Sequence, residues 1–419
     1  MNNKVIKLNS EQLSDYADIA IKAYPGFFVP GSVDRETLIS KFIKILTEEP
    51  YINDYGLYRD NKLLGGIRLF DFVMRFADLD MKVGGVGFVA VDLLHKKERV
   101  CKEMIEFFLK HYRDRGYSMA TLYPFRPDFY KKMGFGYGAK LNQYRIKSGS
   151  LPCYGSKNHI VLLKEDDKSD MVACYDRYRL KTHGMIKKTI NDLAVMFTPD
   201  SFAVGYKKDD VIRGYAVMKF VQSVHDNAMI NDLFIDELIY ENTEVLIDML
   251  TFLNSQSDQV RNVIYNTQDD NLHYLLKDVR NGEPDIIRPN SHQCNIQALG
   301  LMYRVIDVKG IFDELKNHNF GGHDLNCIIR FHIHDDFLEK NSRNVTVKFD
   351  NGKAQVIDSP EYDIEVSMDI SDFSSLIMGA VDFKSLYKYG LAKVSNELFV
   401  SMINQIFALE QKPMCNSRF

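Results

Sequence analysis

The feature that most constrains the fold is a pattern of strand, turn, helix and strand that occurs twice, the second copy beginning about 145 residues after the first. The first copy reads as strand, basic turn, helix, strand and short helix, at Val86–Val91, 95–99, 100–115, Met119–Tyr123 and Phe129–Met133. The second copy reads as strand, helix, strand and short helix, at Leu233–Ile235, 243–253, Asn262–Tyr265 and Leu272–Lys277. This alternation predicts two successive α/β units.

The connectors that follow the first strand of each copy differ in charge. Cationic side chains occupy the first connector, namely Lys96, Lys97 and Arg99. Acidic side chains occupy the corresponding places of the second copy, namely Asp236, Glu237 and Glu241. We therefore expect the first connector to attract an anion and the second to repel it.

The pattern changes after about residue 300. Val345–Phe349 and Lys353–Ile357 flank Asp350-Asn351-Gly352, and Asn-Gly between two strand-like runs predicts a hairpin. The last helix is predicted over Glu397–Glu410, with an apolar side formed by Leu398, Met402, Ile406 and Leu409. The final residues are less polar than a frayed tail and end in an aromatic residue, which predicts a docked carboxyl terminus.

The composition favours an ordinary globular protein. A length of 419 residues predicts about three domains, and 53 basic against 57 acidic residues leave a net charge of -4. This charge does not favour binding to nucleic acid or to an anionic lipid surface. We expect no membrane span and no secretory signal. The six cysteines form no C-x-x-C pair, which predicts reduced thiols in a cytoplasmic protein.

The basic connector at 95–101 is the best candidate for a binding site. A helix that begins directly after a cationic turn directs free backbone N–H groups and the positive end of its dipole at one point, which suits a pyrophosphate. The alternative is that these cations are only solvated surface.

Two segments resemble motifs A and B of the GNAT N-acetyltransferases. These segments are residues 89–101 (VAVDLLHKKERVC) and 128–137 (DFYKKMGFGY). The first is similar to the family's V-x-V strand and its R/Q-x-x-G-x-G/A loop, with Lys96 in the leading cationic position. Arg99 replaces the first glycine of that loop and Cys101 replaces the second small residue. Arg99 therefore either adds a charge to the loop or obstructs it.

The chain as a whole resembles the enhanced-intracellular-survival (Eis) type of acetyltransferase. The resemblance implies an α/β (α+β) fold: a GNAT domain over 1–150, a second GNAT-like domain without the cofactor loop over 151–300, both with mixed sheets, and a sterol-carrier-protein-like α+β domain over 301–419. It also implies a homo-oligomer, possibly a hexamer.

The same resemblance implies direct transfer of an acetyl group from acetyl-CoA to a primary amine of a small molecule, such as an aminoglycoside or polyamine, or of a lysine side chain. Tyr130 would be the general acid and the α-carboxylate of Phe419 the general base. The expected acetyl-CoA ligands are Val89, Val91, Lys96, Lys97, Arg99, Val100 and Cys101.

Each of these assignments has an alternative. The ring of Tyr130 could simply pack at a helix edge, and Phe419 could be an anchor that only docks the tail. The whole protein could also be a non-catalytic ligand-binding or regulatory protein whose CoA site has degenerated.

Two other motifs carry less weight. Residues 134–139 spell G-x-G-x-x-A, but a short helix precedes them and a strand follows, which is the reverse of a dinucleotide-binding unit. His332 and His334 share one strand face and could suit a metal, although a half-exposed strand is the preferred interpretation. We therefore predict no metal site.

Overall fold

The computed structural model describes residues 3–26, 28, 34–194, 196–223, 229–283, 286–287, 290–322 and 325–419. The first third of the chain contains ten elements: β1 (Asn3–Lys7), α1 (Leu13–Ala23), α2 (Arg35–Glu48), β2 (Ile52–Arg59), β3 (Lys62–Phe76), β4 (Leu79–Val91), α3 (Val100–Asp114), β5 (Met119–Leu122), α4 (Pro127–Lys131) and β6 (Gly136–Tyr137).

The middle third also alternates strands and helices. It contains twelve elements: β7 (Lys140–Lys147), β8 (Ile160–Leu163), α5 (Lys168–Arg179), α6 (Ile190–Ala194), β9 (Ser201–Lys208), β10 (Val211–Gln222), β11 (Asn231–Tyr240), α7 (Thr243–Asn254), β12 (Val260–Thr267), β13 (Ile286–Ile287), β14 (Ser291–His292) and β15 (Ile296–Leu299).

The last third contains ten elements: β16 (Met302–Val305), α8 (Val308–Glu314), β17 (Cys327–His334), β18 (Arg343–Asp350), β19 (Lys353–Ile357), β20 (Ile364–Asp369), α9 (Ile370–Ile377), α10 (Phe383–Lys388), β21 (Ala392–Val394) and α11 (Val400–Ile406). Of these described residues, no helix is long and apolar enough to cross a bilayer.

Local chemistry explains where several elements begin and turn. Asn9 and Gln12 exchange backbone-to-side-chain hydrogen bonds of 3.1 Å before α1, which is a capping box. Asp60 and Asn61 both have positive φ and close the β2–β3 hairpin, and Gly352 with Asn351 does the same between β18 and β19. The predicted Asn-Gly hairpin is therefore confirmed.

The two large sheets exchange strands. One has the order β1-β2-β3-β4-β5-β16-β6 and the other β15-β7-β12-β11-β10-β9-β8. Thus β16, which follows the second unit in sequence, pairs with β5 of the first sheet, and β7, which follows the first unit, pairs with β12 of the second. Each sheet therefore contains a strand from the segment that follows the other unit in sequence. The expected limits 1–150, 151–300 and 301–419 stay a prediction.

The third sheet has the order β19-β18-β17-β20-β21, and α8 and α9 pack on it. Its core is continuous with β16 and with Met74 and Phe76 of β3. Arg304 in β16 is fully buried and forms a bidentate ion pair with Asp335 at 2.9 and 3.0 Å. The expected α/β (α+β) class is confirmed, with mixed sheets in both GNAT-like units, and the third sheet is mixed as well.

Two sequence predictions require correction. Asp236 and Glu237 lie inside β11, not in the connector, because β11 extends to Tyr240 and α7 begins at Thr243. The predicted last helix is shorter, since a 3₁₀ turn at Glu397–Phe399 precedes α11, and Leu398 is 88% exposed instead of belonging to an apolar stripe.

Candidate functional site

Strands β4 and β5 separate at the centre of the first sheet. They pair in parallel only over Val83–Val86 and Met119–Leu122, after which β4 continues to Val91. The last five residues of β4 therefore have no partner from β5 on that side. Because an unpaired strand edge carries free N–H and C=O groups, this gap can bind an extended molecule by strand-like hydrogen bonds.

A bulge occurs in β4 at the point of separation. The register with β3 shifts between Gly66 and Arg68, and Phe88 has a φ of 49°. The hydroxyls of Tyr16 and Tyr24 donate hydrogen bonds to the carbonyls of Phe88 and Val89, at 2.5 and 2.6 Å. These bonds hold two carbonyls that the bulge removes from the regular ladder.

The connector after β4 leads directly to the amino end of α3. Lys97 and Arg99 have φ values of 68° and 66°, so Arg99 adopts the left-handed conformation that a glycine would adopt at about 1–2 kcal/mol lower cost. The backbone N–H groups of 100–102 have no acceptor within the described part of the chain. They form, with the helix dipole, a site suited to an anion.

The charges of the connector leave it cationic. Glu98 is the one acid at 95–101, and it is paired with Arg59 at 2.9 Å and with His95 at 3.1 Å. Lys96, Lys97 and Arg99 have no ion pair in the regions that the structure describes.

A cavity of about 1110 Å³ opens between the separated strands, the connector and the carboxyl terminus. All nine side chains named from the sequence line it: Val89, Val91, Lys96, Lys97, Arg99, Val100, Cys101, Tyr130 and Phe419. Arg99 therefore stands at the cavity wall and does not close the cavity.

Tyr130 and Cys101 are held in their protonated forms. Burial raises the pKa of Tyr130 well above its ordinary value near 10, and the neighbouring Cys101 and Tyr24 add to this effect. Burial also raises the pKa of the Cys101 thiol to about 12. At neutral pH Tyr130 thus keeps its hydroxyl proton, and Cys101 is a thiol and not a thiolate.

The carboxyl terminus is docked in the cavity, as the sequence predicted. The ring of Phe419 packs against those of Phe70, Phe72 and Tyr123, with centroid distances of 5.4, 4.8 and 5.1 Å. Its carboxyl carbon lies 2.9 Å from where a Cβ would stand at Gly87, so only glycine permits this approach.

Sequence reasoning missed several residues of the cavity. Glu49 and Asp192 bring carboxylates to its wall, and Asn191 donates a hydrogen bond to Glu49. These residues come from the end of α2 and from α6, and no spacing in the sequence relates them to the basic connector.

The second unit differs from the first at the corresponding connector, between β11 and α7. Asn242 caps α7 with its own side chain, which accepts a 3.1 Å hydrogen bond from Val245 N–H. Glu241 at the connector is paired with Arg177 at 2.6 Å. A small void of about 10 Å³ lies beside β11 and is lined by apolar side chains, including Ile235 and Leu238.

Two motifs are explained by packing. Cβ atoms at Gly134 and Gly136 would lie 2.0 and 2.1 Å from atoms of Arg304 and Ser371, so these glycines permit close contact with the last third of the chain. The imidazole of His332 is hydrogen-bonded to the side chain of Asn344, and that of His334 contacts a carboxylate oxygen of Asp336. Among the residues that the structure describes, no three side chains form a group that could hold a metal ion.

Comparison with known families identifies all three parts of the chain. Residues 4–138 and 183–305 each match an acetyltransferase (GNAT) domain, and residues 313–416 match a sterol carrier protein domain. No curated protein matches the chain.

Solved structures share the complete fold. They include a GCN5-related N-acetyltransferase from Anabaena variabilis (17% identity, TM-score 0.82), a protein of unknown function from Enterococcus faecalis V583 described as a probable N-acyltransferase (17%, 0.82) and Eis1 from Mycobacterium abscessus (16%, 0.76). Each similarity covers 100% of both chains. The expected three-part architecture is confirmed at the level of fold and domain content.

The raised pKa of Cys101 predicts slow alkylation. At pH 8 a thiol with a pKa of about 12 is about 0.01% thiolate. We expect iodoacetamide to modify Cys101 at least about 100-fold more slowly than the exposed Cys153, measured by peptide mass spectrometry. Equal rates would contradict the enclosed environment of Cys101.

Proposed function

Since the chain carries two GNAT acetyltransferase domains followed by a sterol carrier protein domain, we propose that it is an N-acetyltransferase that transfers an acetyl group from acetyl-CoA directly to a primary amine. The observation that carries this proposal is the cavity of the first unit, because it brings the cationic connector, Tyr130 and the terminal carboxylate of Phe419 to one space.

The first unit offers groups that fit acetyl-CoA. Lys96, Lys97 and Arg99 stand beside the N–H groups at the start of α3, a combination that binds a diphosphate. The free edge of β4 at Val89 and Val91 can pair with the amides of a pantetheine arm. When bound there, acetyl-CoA supplies the thioester acyl group.

The remaining chemistry is proton transfer by this chain. An amine with an ordinary pKa of about 10.4 is roughly 0.04% neutral at pH 7, a deficit of about 4–5 kcal/mol. In our proposal the carboxylate of Phe419 accepts the proton of the ammonium group, and the hydroxyl of Tyr130 donates one to the departing sulfur. The protonated thiol of Cys101 supports direct transfer over a route through an acyl-cysteine.

The cavity wall supports a cationic acceptor. Glu49 and Asp192 add negative charge to the wall that Phe419 also lines. Such acids attract an ammonium group, which fits an aminoglycoside, a polyamine or a lysine side chain as acceptor. A homo-oligomer, possibly a hexamer, and a cytoplasmic location also remain parts of this proposal.

Replacing the connector lysines tests acetyl-CoA binding. We expect Lys96→Ala and Lys97→Ala each to raise the Kd for acetyl-CoA about tenfold, measured by calorimetry, because each removes a charge-assisted contact with phosphate. Lys384→Ala, an exposed lysine on α10, is the control. Unchanged affinity would remove the connector from the site. If the unaltered protein fails to bind acetyl-CoA, the non-catalytic alternative is favoured.

The terminal carboxylate is tested by amidating Phe419, which keeps the ring in place and removes the charge. We expect kcat with an amine panel to fall at least about 100-fold, the size of a general-base contribution, with the Kd for acetyl-CoA unchanged. Acetyl-CoA consumption measures the rate, and a tag at the amino terminus is the control. An amidated protein of full activity would show that Phe419 is only an anchor.

Tyr130→Phe tests the general acid. Removing a positioned proton donor lowers kcat by about 10²–10³-fold, and we expect acetyl-CoA affinity to stay within about threefold. Because the pKa of Tyr130 is raised, the hydroxyl stays protonated to high pH, so the unaltered enzyme should show no decline in kcat between pH 7 and about 9.5. Tyr389→Phe is the control; a variant at position 130 with normal kcat would assign the donor elsewhere.

A further inference from the structure

The second unit carries a bulge at the same place as the first. Both bulges lie in the fourth strand of their sheets, counted from β1 in one sheet and from β8 in the other. In β11 the register changes from Glu237 opposite Val217 to Ile235 opposite Met218, which leaves Asp236 as the additional residue. A bulge re-aims the side chain of its extra residue.

The side chain of Asp236 contacts the carboxyl-terminal tail. It is 9% exposed, and its Oδ1 lies 2.7 Å from Nη2 of Arg418. Arg418 directly precedes Phe419, and both residues line the cavity of the first unit. The bulge of the unit without a cofactor loop is therefore connected to the proposed base of the other unit.

Apart from the packing of the Phe419 ring, the other contacts described for the tail end at Ser417. Gln268 Nε2 donates a 3.1 Å hydrogen bond to the carbonyl of Cys415, and the Tyr123 hydroxyl donates one of 2.9 Å to the carbonyl of Ser417. Beyond Ser417 the Arg418–Asp236 pair is the one side-chain ion pair of the tail within the described residues. Terminal residues without such a contact are poorly ordered.

We infer that Asp236 is a positioning residue that places the carboxylate of Phe419 through its ion pair with Arg418. This inference rests on the proposed role of Phe419 as general base. The guanidinium is 68% exposed, so the pair adds little to folding stability. Catalysis, in contrast, depends on the placement of the base to within about 1 Å, and an error of that size costs about 100-fold in rate.

The inference predicts an effect on kcat and not on stability or binding. We expect Asp236→Asn and Arg418→Gln each to lower kcat about 10- to 100-fold, with KM for the amine and Kd for acetyl-CoA within about threefold and the melting temperature unchanged. Because both changes break one pair, the double variant should lose no more than either single variant. Arg418→Lys keeps the charge and should retain most of the rate.

Asp278→Asn is the matched control. Asp278 pairs with Arg280 at the same 2.7 Å in the same third of the chain, away from the cavity, and its loss should leave kcat unchanged. If amidation of Phe419 abolishes turnover while the Asp236 and Arg418 variants keep normal kcat, the positioning role is wrong and the proposed function stands. A loss confined to KM, or an additive double variant, would also overturn it. Full activity after amidation would instead remove the proposed base.

Discussion

The exchange of strands between the two large sheets is the constraint on which the rest of the structure depends. With β7 in the second sheet and β16 in the first, neither unit completes its sheet alone, so backbone hydrogen bonds join the two units. The buried pair of Arg304 with Asp335 then attaches β16 to the third sheet, at the residue that directly follows β17. A buried pair of this kind is costly to break on one side, because the remaining charge has no partner. The three parts therefore behave as one scaffold for the cavity.

The two units show how one fold supports a binding site in one copy and not in the other. In the first unit, the helix after β4 begins without a side-chain cap, and its N–H groups stay available to a ligand. In the second unit, the side chain of Asn242 occupies one of the corresponding groups of α7, the N–H of Val245. The backbone of Lys97 and Arg99 is in the left-handed conformation, and both side chains line the cavity. In our proposal the charge of Arg99 therefore adds to the diphosphate site. The second unit contributes instead through its position, with Asn191, Asp192 and the bulge at Asp236.

The carboxyl terminus joins all three parts at one point. The chain leaves the third sheet after α11, bonds to the first and second units through Tyr123 and Gln268, and ends with the carboxyl group of Phe419 against Gly87. In our proposal the carboxylate of Phe419 is the base, so its position depends on how firmly the tail is held. For this reason we propose that a contact in the second unit influences chemistry in the first.

The sequence by itself determined local structure and supplied the candidates for the reactive groups. Periodicity and turn chemistry gave the two α/β copies and the Asn351-Gly352 hairpin, since these depend on residues close together in the chain. The basic connector, Tyr130 and Phe419 were recognisable because their motifs resemble those of a known family. Only the tertiary structure decided the exchange of β7 and β16, the acids Glu49 and Asp192 at the cavity, and the pairing of Asp236 with Arg418. Asp236 was expected in a connector, and its place in a bulge follows from pairing with β10. These features join residues distant in sequence, and no local pattern records which distant segments meet.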